Sequence, residues 1–188
     1  DSKNIKDFTK TETKAVREKT GLIFQNPYSS LNPKMKIKEI LTEPLIVHNV
    51  QNKKRRIVML NNIVKLTGLN ADDLERYPHE FSGGQRQRIA IARALILKPE
   101  FVVADEPISA LDVSIQAQII NLLINLKERF NLTYLFISHD LNVVKYLCTK
   151  IAIMYRGEIV ETGTTEEIFN NPKHKYTKLL LNSIPEIV

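Results

Sequence analysis

Two neighbouring carboxylates, Asp105 and Glu106, follow four apolar residues, Phe101-Val102-Val103-Ala104. An apolar run of that length reads as a strand covered on both faces, so the pair stands where a strand ends. A carboxylate at such a point can take a divalent cation, directly or through water. The next carboxylate points elsewhere and can polarise an attacking water as a general base. Two more apolar runs end in polar groups: Gly21-Leu22-Ile23-Phe24 at Gln25, and Tyr134-Leu135-Phe136-Ile137 at Ser138-His139. Ligands of an open parallel sheet bind beyond the carboxyl ends of its strands, and these three strands bring an amide, two carboxylates and an imidazole to one edge. Ser82-Gly83-Gly84-Gln85 opens a helix with Ile89, Ala92 and Ile96 on its buried face. Small residues there let backbone N–H groups approach an anion, the helix dipole favours negative charge, and Ser82 adds a hydroxyl donor. Metal, anion and oriented water are the requirements of phosphoryl transfer to water.

The elements that must position these groups alternate between strand and helix, which predicts a parallel α/β sheet. Residues 1–20 are polar and without clear period, either a frayed end or a helix. Asn26 to Pro33 are dense in turn formers and predict a loop. From Ile37 to Leu97 the patterns are helical, broken at Pro44, Gly68 and Pro78, and read as an inserted helical subdomain. Asp112 is placed as the N-cap of a helix carrying Ile115, Ile119, Leu122, Leu126 and Phe130. After His139 a short helix has Leu141, Val144 and Cys148 on one face. A strand pair surrounds Arg156-Gly157, and Thr165 is placed to cap a short helix. The expected organisation is a remnant of the core over 1–25, a helical subdomain over 26–98, a catalytic α/β core over 99–170, and a tail over 171–188.

At 188 residues the chain is long enough to bury a core. No apolar run approaches the length of a membrane span. Its single cysteine, Cys148, excludes an intrachain disulfide and fits a reducing cytosol. The net charge of +6 raises the question of nucleic acid. The dense basic run Lys53-Lys54-Arg55-Arg56 reads as a solvated helix end, and no aromatic residues interleave with it as a single-strand binder requires. Nucleic acid is therefore not an expected partner.

The string Phe81-Ser82-Gly83-Gly84-Gln85-Arg86-Gln87-Arg88 resembles the signature motif of ATP-binding-cassette (ABC) ATPases, with Phe81 in place of the commoner leucine. Ala104-Asp105-Glu106-Pro107 resembles their Walker B strand end, Gln25 the Q-loop, Ser109 to Asp112 the D-loop, and His139 the switch histidine. The resemblance implies a P-loop NTPase-type core and a site for ATP and Mg²⁺ clasped between two cassettes. In that site Asp105 and Gln25 serve the metal, and Glu106, His139 and Gln25 the hydrolysis. Ser82, Gly83, Gly84, Gln85 and Asp112 serve the nucleotide. Phe24 to Pro33 and Pro172 to Pro185 resemble the Q-loop region and C-terminal tail of oligopeptide and dipeptide importer ATPases. The implied partners are a second ABC ATPase subunit, transmembrane permease subunits and, indirectly, a peptide-binding protein. The implied location is the cytoplasmic face of the membrane. Nickel, opine or glutathione import and a non-catalytic subunit supplying only a signature remain open. A DNA-repair-type ABC ATPase is disfavoured, because no sustained heptads lie between Asn26 and Glu80.

The phosphate-cradling loop G-x-x-x-x-G-K-[ST] occurs nowhere in the 188 residues. The expectation is an incomplete cassette, its P-loop encoded ahead of Asp1, that binds MgATP weakly and does not turn it over by itself.

Overall fold

A computed structural model describes residues 4–183, so residues 1–3 of the expected remnant and 184–188 of the expected tail lie outside the described residues. After a short 3-10 turn the chain forms α1 (Lys10–Lys19), closed by a capping box in which Thr9 and Glu12 bond each other's backbone N–H. It continues through β1 (Thr20–Ile23), α2 (Pro27–Ser30), α3 (Ile37–Val47), α4 (Lys53–Leu66) and α5 (Gly83–Leu95). Then come β2 (Phe101–Asp105), α6 (Val113–Phe130) and β3 (Thr133–Ile137). Compactness divides the chain between Ile137 and Ser138. The second unit contains α7 (Leu141–Leu147), β4 (Lys150–Tyr155), β5 (Glu158–Thr164), α8 (Thr165–Asn170) and α9 (Lys175–Asn182).

β1, β2 and β3 form a parallel sheet in that order, with Leu22, Val103 and Leu135 in one row and Ile23, Ala104 and Phe136 in the next. Side chains alternate between faces along each strand. One face is buried, with Ile23, Val102 and Ala104 fully enclosed. Gly21 lies on this face: a Cβ there would stand 2.8 Å from the Ala94 carbonyl oxygen, so glycine lets α5 close directly onto β1. Tyr134 Oη donates to the Leu123 carbonyl at 3.2 Å and ties β3 to α6. The opposite face differs from expectation. Leu22 is 42% exposed and Leu135 50%, and Phe24 and Ile137 are similarly open. The apolar runs read as covered on both faces, but the helices of the first unit cover only one.

Between β1 and β2 everything is helical or turn. The expected break at Pro44 does not occur, because α3 runs through it to Val47. Ile37, Ile40, Leu41 and Leu45 are buried. At about 1.5–3 kcal/mol for each buried side chain, they outweigh the roughly 3 kcal/mol cost of an interior proline. α4 ends before Gly68, whose φ of +70° makes it the left-handed residue after the helix. The segment read as loop after Asn26 contains α2, with Asn26 Oδ1 accepting from Tyr28 N–H at 2.9 Å and Pro27 in the first turn, which proline favours.

In the second unit β4 and β5 pair antiparallel about Arg156 and Gly157, both at positive φ, as a two-residue hairpin requires. Val144, Ile151, Ile153 and Ile168 form its core, with Cys148 packed against them at the end of α7 rather than inside it. The cap of α8 is Thr164 and not Thr165: Glu167 accepts from Thr164 N–H at 2.8 Å and from its hydroxyl at 3.0 Å. Glu161 accepts from the N–H groups of Lys173 and His174 and so fixes the entry to α9.

Two outcomes are expected. Gly21→Ala destabilises the protein by about 1–3 kcal/mol in chemical denaturation, because the clash is with backbone and cannot relax by a rotamer change. Hydrogen bonds from the Thr164 N–H and hydroxyl hold the Glu167 carboxyl below its ordinary value. A depressed carboxyl stabilises above its unfolded pKa of about 4.3 and loses that contribution as pH falls through the folded value. A carboxyl carbon NMR titration is therefore expected to place the Glu167 midpoint below that of an unstructured glutamate, and the α8 cap to open as pH falls through that lower midpoint.

Candidate functional site

The ladder of the first unit brings two of the expected groups into contact. Thr20 to Ile23 of β1 stand opposite Phe101 to Ala104 of β2, so the next residues along both strands leave the sheet at one edge. There Gln25 Nε2 donates to Glu106 Oε2 at 2.8 Å. The contact holds the carboxylate by an amide with no charge of its own to titrate. Asp105 is the last residue of β2, opposite Ile137 in the ladder, and half-buried.

Glu106 owes its direction to its backbone. Its φ is +43°, in the left-handed region that side chains other than glycine rarely adopt. Its N–H donates to the Ile137 carbonyl at 2.9 Å, extending the parallel ladder one step past the strand. The carbonyl of Glu106 accepts from the Ser109 hydroxyl at 3.1 Å and begins the turn 106–111. An αL residue at a strand end costs on the order of 1 kcal/mol and persists where surrounding bonds fix it.

The remaining expected residues occupy defined places. Ser82 is the N-cap of α5, and its N–H donates to Gln85 Oε1 at 3.0 Å, forming a capping box with the Gln85 N–H on the serine oxygen. The glycines between them face α6 and the turn before it: a Cβ on Gly84 would fall 2.5 Å from Ile115 Cγ2 of α6, and one on Gly83 3.4 Å from Leu111 Cδ2. Gly84 is thus required by packing within this chain, apart from any ligand. Asp112 occupies the N-cap position of α6, but its side chain makes no capping bond and is exposed. His139 follows Ser138 at the start of the second unit, in the turn before α7, where the Asp140 N–H donates to Ser138 Oγ at 3.0 Å and Asp140 Oδ1 caps the helix.

Residue matches beyond this geometry come from known proteins. Residues 1–109 match the family model described as ABC transporter, and residues 160–188 match the one described as oligopeptide/dipeptide transporter, C-terminal region. The chain belongs to the ABC transporter family. It is 52% identical over 186 residues to the dipeptide transport ATP-binding protein DppF of Lactococcus lactis subsp. cremoris, covering 98% of this chain and 60% of that protein. It is 53% identical to DppF of Haemophilus influenzae (94% and 54% covered) and 55% identical to the oligopeptide transport ATP-binding protein OppF of Streptococcus mutans (90% and 56% covered). The chain therefore spans little more than half the length of these curated relatives. Among solved structures it is similar to the ATP-binding cassette MJ0796, in a dimeric post-hydrolysis state bound to ADP and Pi, with 31% identity and a TM-score of 0.74. That match covers 88% of this chain and 71% of the other. CbiO1 of Clostridium perfringens, part of the ABC transporter complex CbiONQ, matches with 25% identity and a TM-score of 0.77, covering 88% and 64%.

For an ABC chain the donor set suits a hard cation in part. Among the described residues no three His, Cys, Asp or Glu side chains gather to hold a metal. Mg²⁺ characteristically takes one or two protein carboxylates and completes its shell with water and substrate phosphates, so the absence of such a cluster does not by itself argue against a single-carboxylate site. A cleft of about 1010 Å³ lined from α4, α5 and α6 contains none of the motif residues and does not bear on this chemistry.

Sequence reasoning missed two kinds of support. Gln116 Nε2 donates to the carbonyls of Ile108 and Leu111, at 3.1 and 3.0 Å, and holds the turn between Glu106 and Asp112. A glutamine in the first turns of a helix carries no sequence signal for that bond. The segment following Gln25 is also anchored to α5 by Arg86 and Arg93, contacts that join positions about 60 residues apart.

The left-handed backbone of residue 106 has a measurable signature. Glu106→Gly is expected to be more stable than Glu106→Ala by about 1 kcal/mol in urea denaturation, since both remove the carboxylate and only alanine keeps a Cβ at positive φ.

Proposed function

We propose that the full-length protein is the ATP-hydrolysing subunit of an ABC importer for dipeptides or oligopeptides. The observation that carries this reading is the Gln25–Glu106 hydrogen bond. It joins two strand ends at the sheet edge where the family's motifs fall. The peptide assignment is supported by the match of residues 160–188 and by relatives whose names are those of dipeptide and oligopeptide transport ATP-binding proteins.

In this reading residues 26–98 form the Q-loop and signature subdomain, 99–170 the catalytic core and 171–188 the tail. Asp105 and Gln25 hold Mg²⁺, which when bound neutralises charge on the nucleotide phosphates. Glu106 accepts a proton from the attacking water, and the Gln25 amide orients that carboxylate. His139 is carried over by motif as the group that hydrogen-bonds the γ-phosphate. Ser82, Gly83, Gly84 and Gln85 present N–H groups and a hydroxyl to ATP held by a facing cassette, and Asp112 belongs to the same site. The partners are a second ABC ATPase subunit and transmembrane permease subunits, at the cytoplasmic face of a membrane. No helix among the described residues is long and apolar enough to cross a membrane. Membrane subunits would supply the spanning segments.

The full-length gene product is expected to hydrolyse MgATP, and Glu106→Gln to lower kcat by about 10²–10⁴-fold, the range of general-base contributions. Hydrolysis that survives this substitution refutes the base assignment. For residues 1–188 alone, titration calorimetry is expected to show absent or millimolar-weak MgATP binding. Tight one-to-one binding would mean that these residues grip the nucleotide without a phosphate loop.

A further inference from the structure

Gln25 is attached at both ends of its function. Its amide is held by Glu106. The backbone that carries it runs at once into α2, which is fastened to α5 and not only to the sheet. The Arg86 guanidinium lies 3.8 Å from the centre of the Tyr28 ring. Arg93 Nη1 donates to the Ser30 carbonyl. Arg86 and Arg93 are seven residues apart, two turns of helix, and so point from one side of α5. Arg86 is 8% exposed, and its other donors hold the approach to the signature: Nε bonds the Pro78 carbonyl at 2.7 Å and Nη2 the His79 carbonyl at 3.3 Å. One buried guanidinium thus touches the turn that leads into Ser82 and the segment that leads out of Gln25. A cation over an aromatic face is a directional contact that a lysine or an aliphatic partner reproduces poorly. Asn26, capping α2 through Tyr28 N–H, leaves little slack between the clamp and the amide.

We propose that Arg86 and Arg93, acting through Tyr28 and Ser30, are positioning residues for Gln25: they fix its amide against the Glu106 carboxylate by referencing it to the signature helix. The proposal rests on the functional reading above, in which Glu106 and Gln25 serve ATP hydrolysis. It assigns no contact with nucleotide to either arginine or to Tyr28.

Tyr28 is the residue to vary, because its ring is 61% exposed and its loss leaves the fold intact. The full-length gene product, free of membrane subunits, is assayed for MgATP hydrolysis as wild type, Tyr28→Phe, Tyr28→Leu, Gln25→Ala and the Gln25→Ala/Tyr28→Leu double variant. Tyr28→Leu is expected to lower kcat about three- to tenfold with KM for MgATP unchanged, and Tyr28→Phe, which keeps the ring, to stay within about twofold of wild type. In the Gln25→Ala background Tyr28→Leu should have no further effect, because the group it positions is gone. Multiplying effects of the two substitutions, or a Tyr28→Leu protein as fast as wild type, overturns the proposal while leaving the ATPase reading standing. A wild-type protein that does not hydrolyse MgATP overturns both.

Discussion

Parallel pairing leaves every strand of a sheet finishing on the same side, and the chemistry of this protein's family depends on that constraint. β1 and β2 are separated by 77 residues of helix and turn between Ile23 and Phe101, yet their ladder places Gln25 and Glu106 within hydrogen-bond reach. Antiparallel pairing of the same strands would send the two groups to opposite edges. β3 contributes through its backbone: the Ile137 carbonyl accepts the Glu106 N–H and holds the left-handed residue that aims the carboxylate. The strain at Glu106 is therefore supported by the sheet it terminates.

The helical insertion is bound to that edge by polar contacts in addition to its apolar core. Burial of Ile89, Ile91, Ala92 and Leu95 seats α5, but non-directional burial leaves a helix free to slide by small amounts. Arg86, Arg93 and Gln116 add directional bonds to carbonyls and a ring, and these fix the segments that follow Gln25 and Glu106. Gly84 allows α6 to close on α5 through Ile115, so the start of the signature helix and the turn after Glu106 are packed as neighbours.

Much of this was legible in the residues. Apolar runs ending in Gln25, Asp105 and His139 predicted the strands to within a residue or so, because a buried parallel strand is written as a short continuous apolar segment. Ser82 and Gln85 predicted a helix start, and their capping box forms. Errors came where two local signals compete or where the partner is distant. Thr164 and Thr165 are equally good capping residues, and only the reach of Glu167 decides between them. The Thr9–Glu12 box was available in the sequence and would have made residues 10–19 a helix outright. Pro44 reads as a breaker because its cost is local, whereas the burial that overrides it is tertiary. The uncovered face of the sheet was invisible for a related reason: Leu22 and Leu135 look the same whether or not something lies over them.

That uncovered face has a practical bearing on the life of the polypeptide. Leu22, Phe24, Leu135 and Ile137 form an apolar surface on a sheet type that is ordinarily enclosed on both sides. A ribosome or an expression host presenting these residues without a covering layer presents an adhesive plate, attractive to chaperones and to other copies of itself.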